Sequence, residues 1–159
     1  MTPTQGVLLK PVSDGDAPLI QRVYQASPKH FERIAMEMPS LADVEREVEA
    51  ILADPNRRAY LIFNADEPVG YLDYKLHYPE NTDAIITLIL IAEPYRGLGY
   101  GKQAVEDLEA MLYHDVERLF AAVYGDNPDA VAFWEKLGYR FLKDGAPSVS
   151  WYYKRLKRA

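Results

Sequence analysis

The sequence predicts an α/β fold, a single mixed, mainly antiparallel β-sheet with helices on both faces. Three observations predict it. Residues 84–92 form a nearly unbroken Ile/Leu run, the pattern of a strand covered on both sides. Two stretches repeat apolar residues at spacings of three and four: Leu41, Val44, Val48, Ile51 and Leu52, then Ala104, Val105, Leu108, Met111 and Leu112. A turn signal at Ala65, Asp66, Glu67 and Pro68 joins two more apolar runs as a hairpin.

In chain order, residues 7–12 read as a short strand stopped by the cap-and-turn cluster Ser13, Asp14, Gly15 and Asp16. Leu19, Ile20, Val23 and Tyr24 follow at helical spacing. Residues 27–39 mix aromatic, Met and charged side chains and read as irregular. Ser40 starts the next helix, whose Glu45, Glu47 and Glu49 form a solvated face, and Asp54-Pro55-Asn56 stops it. The hairpin strands are 59–64 and 69–78, and the covered strand is 84–92. Gly97, Gly99 and Gly101 open the second apolar-striped helix, and 119–124 reads as another buried strand. Asn127-Pro128 starts a helix as N-cap and first helical residue, and Gly138 ends it in the left-handed conformation. Residues 139–142 and 149–153 close the chain as an antiparallel pair.

Length and composition bound the chemistry. The 159 residues, 48% apolar, suit one core, so residues 1–159 are expected to form one domain. No run approaches the roughly 20 apolar residues of a membrane helix, and Met1 to Lys10 lacks a charged-then-apolar leader pattern. There is no cysteine, which excludes disulfides, thiolate metal sites and a cysteine nucleophile, and fits a cytoplasmic protein. The net charge is −6, but Lys154, Arg155, Lys157 and Arg158 sit at the end, leaving 14 − 24 = −10 over residues 1–153. An acidic body is a poor nucleic-acid binder, because phosphate neutralisation supplies most non-specific affinity. The basic tail reads as a solvated end. No metal site is expected.

The most informative stretch is Ile89-Leu90-Ile91-Ala92-Glu93-Pro94-Tyr95-Arg96-Gly97-Leu98-Gly99-Tyr100-Gly101-Lys102. Glycines between a buried strand and a helix let backbone approach a ligand, and the free N–H groups of the helix start favour a phosphate. Arg96 and Lys102 add positive charge at the same mouth. A P-loop fails, since Gln103 follows Lys102 where Ser or Thr is needed and Arg96 stands where its first Gly belongs. A dinucleotide fold fits poorly too: Gly99, Gly101 and Ala104 match, but residues 93–96 separate strand from loop and too little chain precedes them.

Arg96-x-x-Gly99-x-Gly101, with Ile91 five residues before the Arg, resembles the GNAT superfamily of acetyl-CoA-dependent N-acetyltransferases. Asn127-x-x-Ala130-x-x-Phe133-Trp134-x-x-x-Gly138-Tyr139 is similar to its second cofactor motif, and the order of elements agrees over about residues 7–154. The resemblance implies a splayed sheet with the pantetheine arm of acetyl-CoA between strands 84–92 and 119–124. Ile89 and Ile91 would pair with pantetheine amides around Leu90, and the amides of Gly97, Leu98, Gly99, Tyr100, Gly101 and Lys102 would hold the pyrophosphate. Phe133 and Trp134 belong to the same motif; Asn127 either contacts the pantetheine or acetyl end or serves only as helix cap. The acceptor would be a small-molecule or peptide amine, partly covered by the segment from Ser27 to Pro39, with neither nucleic acid nor membrane as partner; a homodimer is compatible.

Acyl transfer to an amine needs a base, an oxyanion donor, here a backbone N–H such as that of Ile91, and a departing thiolate. The family's Glu and Tyr positions hold Ala122, Ile85 and Trp134 here. Asp83 lies on the strand face of Ile85, Asp73 and His77 share a face with Tyr71, and Tyr124 or Tyr139 is available as an acid. A water chain to a backbone carbonyl would also serve. The reading is therefore an N-acetyltransferase working by direct attack, the alternative being an acyl-CoA-binding or regulatory module with little catalysis.

Overall fold

The computed structural model describes residues 6–145 and 148–156. Seven strands form one sheet in the order β1-β2-β3-β4-β5-β7-β6. They are β1 (Leu8–Pro11), β2 (Arg57–Asn64), β3 (Glu67–Leu76), β4 (Asp83–Ile91), β5 (Arg118–Tyr124), β6 (Arg140–Gly145) and β7 (Val149–Arg155). Every neighbouring pair is antiparallel except β4 and β5. The helices are α1 (Ala17–Gln25), α2 (Pro28–Arg33), α3 (Leu41–Ala53), α4 (Tyr100–Leu112) and α5 (Pro128–Lys136).

The apolar stripes divide between two cores. Val105 and Leu108 of α4 and Trp134 of α5 pack on Leu72, Ile86, Leu119 and Ala121. On the opposite face, Ile20 and Val23 of α1 and Val44 and Val48 of α3 pack on Leu61, Tyr71 and Leu90. Ser40 caps α3 as expected: its hydroxyl accepts from Asp43 N–H at 3.1 Å while the Asp43 carboxylate accepts from Ser40 N–H at 3.0 Å.

Three expectations change. Residues 27–39, read as irregular, contain the short helix α2. It has too few residues for periodicity to show; Ser27 donates its hydroxyl to Val23 O at 2.8 Å and Phe31 packs edge-on against Tyr24 at 5.2 Å. The hairpin turn is tighter than the four-residue signal suggested, because Glu67 already pairs with Asn64 and Pro68 pairs with Phe63 at an irregularity in the ladder. The basic end is not simply solvated: Lys154 forms an ion pair with Glu109 at 3.1 Å. Lys157 and Arg158 lie outside the described residues.

Gly70 fixes how closely β3 and β4 lie. A Cβ there would stand 2.6 Å from Leu90 O and 2.8 Å from Ile91 Cδ1, and the backbone oxygen cannot swing aside. Gly70→Ala is therefore expected to cost about 1–3 kcal/mol of stability, as overpacking does. Urea denaturation measures it; an unchanged midpoint would show that the strands can separate freely.

Candidate active site

β4 and β5 are paired over only four positions, from Asp83↔Arg118 to Ile86↔Ala121, and then part. The cause lies on the other edge of β4. Across from it, Asp73 pairs with Leu88 and Tyr74 with Ile86, so Thr87 is one extra residue, a β-bulge. The bulge resets the alternation: Ala84 and Ile86 face the α4–α5 core before it, Ile89 and Ile91 after it.

Beyond the bulge, β4 offers a free edge toward the gap. Leu90 O lies against Gly70, and Ala92 N–H donates to Val69 O at 2.9 Å, so these groups face β3. Ile91 O faces the other way and accepts from Arg96 Nε at 3.1 Å. Strand alternation places the peptide groups of Ile89 on that same open side. The gap widens into a cleft of about 530 Å³, within the range of small-ligand sites.

At the wide end, residues 93–95 make one 3-10 turn, and Gly97 and Gly99 take φ of +78° and +88°. Only glycine adopts this region without strain. Gly99 caps α4, so the unpaired N–H groups of its first turn open on the cleft. Gly101 is small for a different reason: a Cβ there would sit 3.2 Å from the Phe133 ring and 3.4 Å from Ile91. Arg96, Lys102 and Lys136 line the cleft, with Asp129 its one acidic group among the described residues. Tyr100 lines it as well, its hydroxyl accepting from Asn64 Nδ2 at 2.7 Å.

Of the expected cofactor residues, Ile89, Leu90, Ile91, Arg96, Gly97 and Gly99 all line the cleft, as do Gly101, Lys102, Asn127, Phe133 and Trp134. Leu98 does not, and is 59% exposed. Asn127 caps α5, its Oδ1 accepting from Ala130 N–H at 3.1 Å, while the residue still borders the cleft. The cap role is thus real, and it is compatible with a ligand contact.

The expected catalytic side chains are scattered. Asp83, 1% exposed, forms a two-pronged ion pair with Arg118 at 3.0 and 2.8 Å, at the closed end of the β4–β5 pair. His77 lies beyond the end of β3 with φ of +60°, its Nδ1 2.7 Å from Asn81 O. Tyr139, 2% exposed, donates its hydroxyl to Glu109 at 2.7 Å beneath Trp134. None of these three lines the cleft. Asp73 alone reaches it, through Thr87: its carboxylate accepts from Thr87 Oγ1 at 2.6 Å and from the Tyr71 hydroxyl at 2.9 Å. Burial pushes the Asp73 carboxyl above its ordinary value, against the pull of Thr87 and Arg57.

Thr87, His30 and Arg33 are cleft residues that the sequence does not mark as cofactor or catalytic positions, and Tyr124, the possible acid, joins them. Thr87 and Tyr124 lie where the strands part, the Tyr124 hydroxyl donating to Thr87 O at 3.0 Å. His30 and Arg33 come from α2. Burial, then the Arg33 and Arg96 guanidiniums, hold the His30 imidazole below its usual value, so it is neutral at physiological pH. The available signal for Thr87 was its standing as the one polar residue in the 84–92 run.

Residues 21–139 match the acetyltransferase (GNAT) family profile. The chain belongs to this family. The GNAT chain is similar in structure to an acetyltransferase from Thermus thermophilus, with 49% identity, a TM-score of 0.91, and 94% of this chain and 97% of that one covered. A Salmonella typhimurium acetyltransferase that modifies the N-terminal serine of ribosomal protein L7/L12 shares the fold, at 16% identity and a TM-score of 0.83, with 97% of each chain covered. A Corynebacterium efficiens mycothiol acetyltransferase is 37% identical over 79 residues, 49% of this chain and 26% of its own length. The GNAT chain thus spans only about a quarter of that curated relative. Among the described residues, no helix is long and apolar enough to cross a membrane.

Proposed function

We propose that this GNAT protein, as one domain over residues 1–159, transfers acetyl from acetyl-CoA to a primary amine by direct attack. The observation that carries the reading is the parted β4–β5 pair, whose free edge runs into a glycine turn at a helix start. A pantetheine arm adds to such an edge as a short strand, its amides meeting the peptide groups of Ile89 and Ile91. Arg96 now bonds the Ile91 carbonyl; cofactor entry exchanges that bond for a pantetheine amide and frees the guanidinium for the pyrophosphate. The N–H groups opening α4, with Lys102, complete the anion site. Asn127 uses Oδ1 as a cap, which leaves Nδ2 to donate toward the acyl end.

The thioester belongs beside Thr87, where the strands part. With no cysteine in the chain, the acyl group passes straight to the amine, aided chiefly by orientation. The acceptor is a small-molecule or peptide amine and the setting cytoplasmic; a homodimer is compatible with the reading. Calorimetry is expected to show acetyl-CoA binding, and its failure at millimolar ligand would sink the proposal. A thiol-release screen over spermidine, kanamycin and a serine-first peptide then tests transfer. Ala122, Ile85 and Trp134, apolar where family members carry acid–base groups, favour one alternative, a CoA-binding module; binding without release to any amine would select it.

A further inference from the structure

We propose that Thr87 and Asp73 form a proton relay where β4 and β5 part, Thr87 taking the proton of the attacking amine and passing its own to Asp73. The inference rests on the transfer reading above. Thr87 is the bulge residue and lines the cleft at the parting point. Its hydroxyl proton is committed to Asp73, with Oγ1 2.6 Å from Asp73 Oδ1 and 3.1 Å from Asp73 O. The oxygen's remaining lone pairs can therefore only accept.

Asp73 is 6% exposed and faces charged or titratable groups from five elements. Tyr71 of its own strand donates to it at 2.9 Å, and Arg57 of β2 lies at 3.3 Å. Glu47 of α3 pairs with Arg57 at 2.7 Å, and the Asp73 charge is felt at Tyr24 of α1 and Tyr124 of β5. Glu47 is half exposed, so the Arg57–Glu47 pair marks a short way from the buried carboxyl to water. A buried carboxyl pushed toward neutrality beside a cleft is where acid–base chemistry concentrates.

The step balances. The amine lone pair forms the C–N bond at the thioester carbonyl; the C–S bond breaks, and its electron pair leaves on the CoA sulfur, which takes a proton from water. The amine N–H proton goes to Thr87 Oγ1, the Thr87 O–H proton goes to Asp73 Oδ1, and Asp73 returns a proton to water past Arg57 and Glu47. One proton is lost by nitrogen and one gained by sulfur.

The test compares wild type with Asp73→Asn, Thr87→Val and Thr87→Ser, using acetyl-CoA and the fastest acceptor among spermidine, kanamycin and a serine-first peptide. Asp73→Asn and Thr87→Val are expected to lower kcat by about 100-fold or more, the usual worth of positioned proton transfer. Thr87→Ser restores most of the rate, and calorimetric affinity for acetyl-CoA holds in all three. In the wild type, kcat/KM falls as pH falls through the Asp73 ionisation, a limb above the ordinary aspartate value of about 3.9; Asp73→Asn lacks that limb. A residue that merely pins the bulge would leave the limb in place. Transfer with the limb retained in Asp73→Asn, or with Thr87→Val as fast as wild type, overturns the relay alone. An enzyme that binds acetyl-CoA and acetylates none of the three amines overturns the transfer reading and the relay together.

Discussion

Gly99→Glu is expected to weaken acetyl-CoA binding by about two orders of magnitude or more. Gly99 holds φ of +88° as the cap of α4, and no atom lies within 4 Å of where its Cβ would stand. Space is therefore not the obstacle. A side chain in this conformation costs about 1–2 kcal/mol, roughly a tenfold loss if the turn yields. The added carboxylate then faces the phosphates across the mouth, worth about 1 kcal/mol at 4 Å even at the dielectric of water and more inside a cleft. Gly99→Ala isolates the strain and should lose about tenfold. Calorimetry with acetyl-CoA reads both variants. Because the site is exposed, the expected fall in Tm is only a few degrees. Equal affinities in Gly99→Glu and wild type would move the phosphate site away from α4.

Arg118→Ala should produce the largest loss of stability, about 3 kcal/mol, with binding intact. Removing one partner of a buried ion pair strands the other charge, at a cost of about 3–5 kcal/mol. The lower end applies because the Arg118 side chain is itself 29% exposed while Asp83 is buried. The guanidinium also covers the Phe120 ring at 5.0 Å, so packing is lost with the charge. In the double variant Asp83→Ala/Arg118→Ala the stranded carboxylate is gone, and part of the loss should return. Urea denaturation gives the energies, and calorimetry on the folded variant gives the affinity. The pair closes the end of β4–β5 opposite the parting. A fall in acetyl-CoA affinity matching the loss of stability would show that the closed end shapes the cleft.

Much of the fold and of the candidate cleft was legible because the relevant signals are local. Gly97 and Gly99 occupy positions that only glycine takes without strain, so their spacing before a helix is already a statement about backbone shape. Asn127-Pro128 is a helix start on chemistry alone, and Asn127 does cap α5. The surroundings of the candidate catalytic side chains were not legible in the same way. Asp83 reads as a polar residue at a strand start; its partner Arg118 stands 35 positions later and meets it only because β4 and β5 pair in parallel. His30 and Arg33 reach the cleft because the start of α2 is tied to the turn after β4, with Lys29 N–H donating to the Glu93 carboxylate at 3.1 Å.

The sequence by itself determined the class of the sheet, the two apolar helix faces, the anion-favouring glycine turn and the lack of a cysteine nucleophile. Each follows from residue type and short-range spacing. Only the tertiary structure decided where the sheet opens. Thr87 is one polar residue in an apolar run until register against β3 makes it the extra residue. That register depends on pairing between distant strands, which no local pattern encodes. The same pairing sets Asp73 behind Thr87, whereas Asp83, His77 and Tyr139 lie outside the cleft.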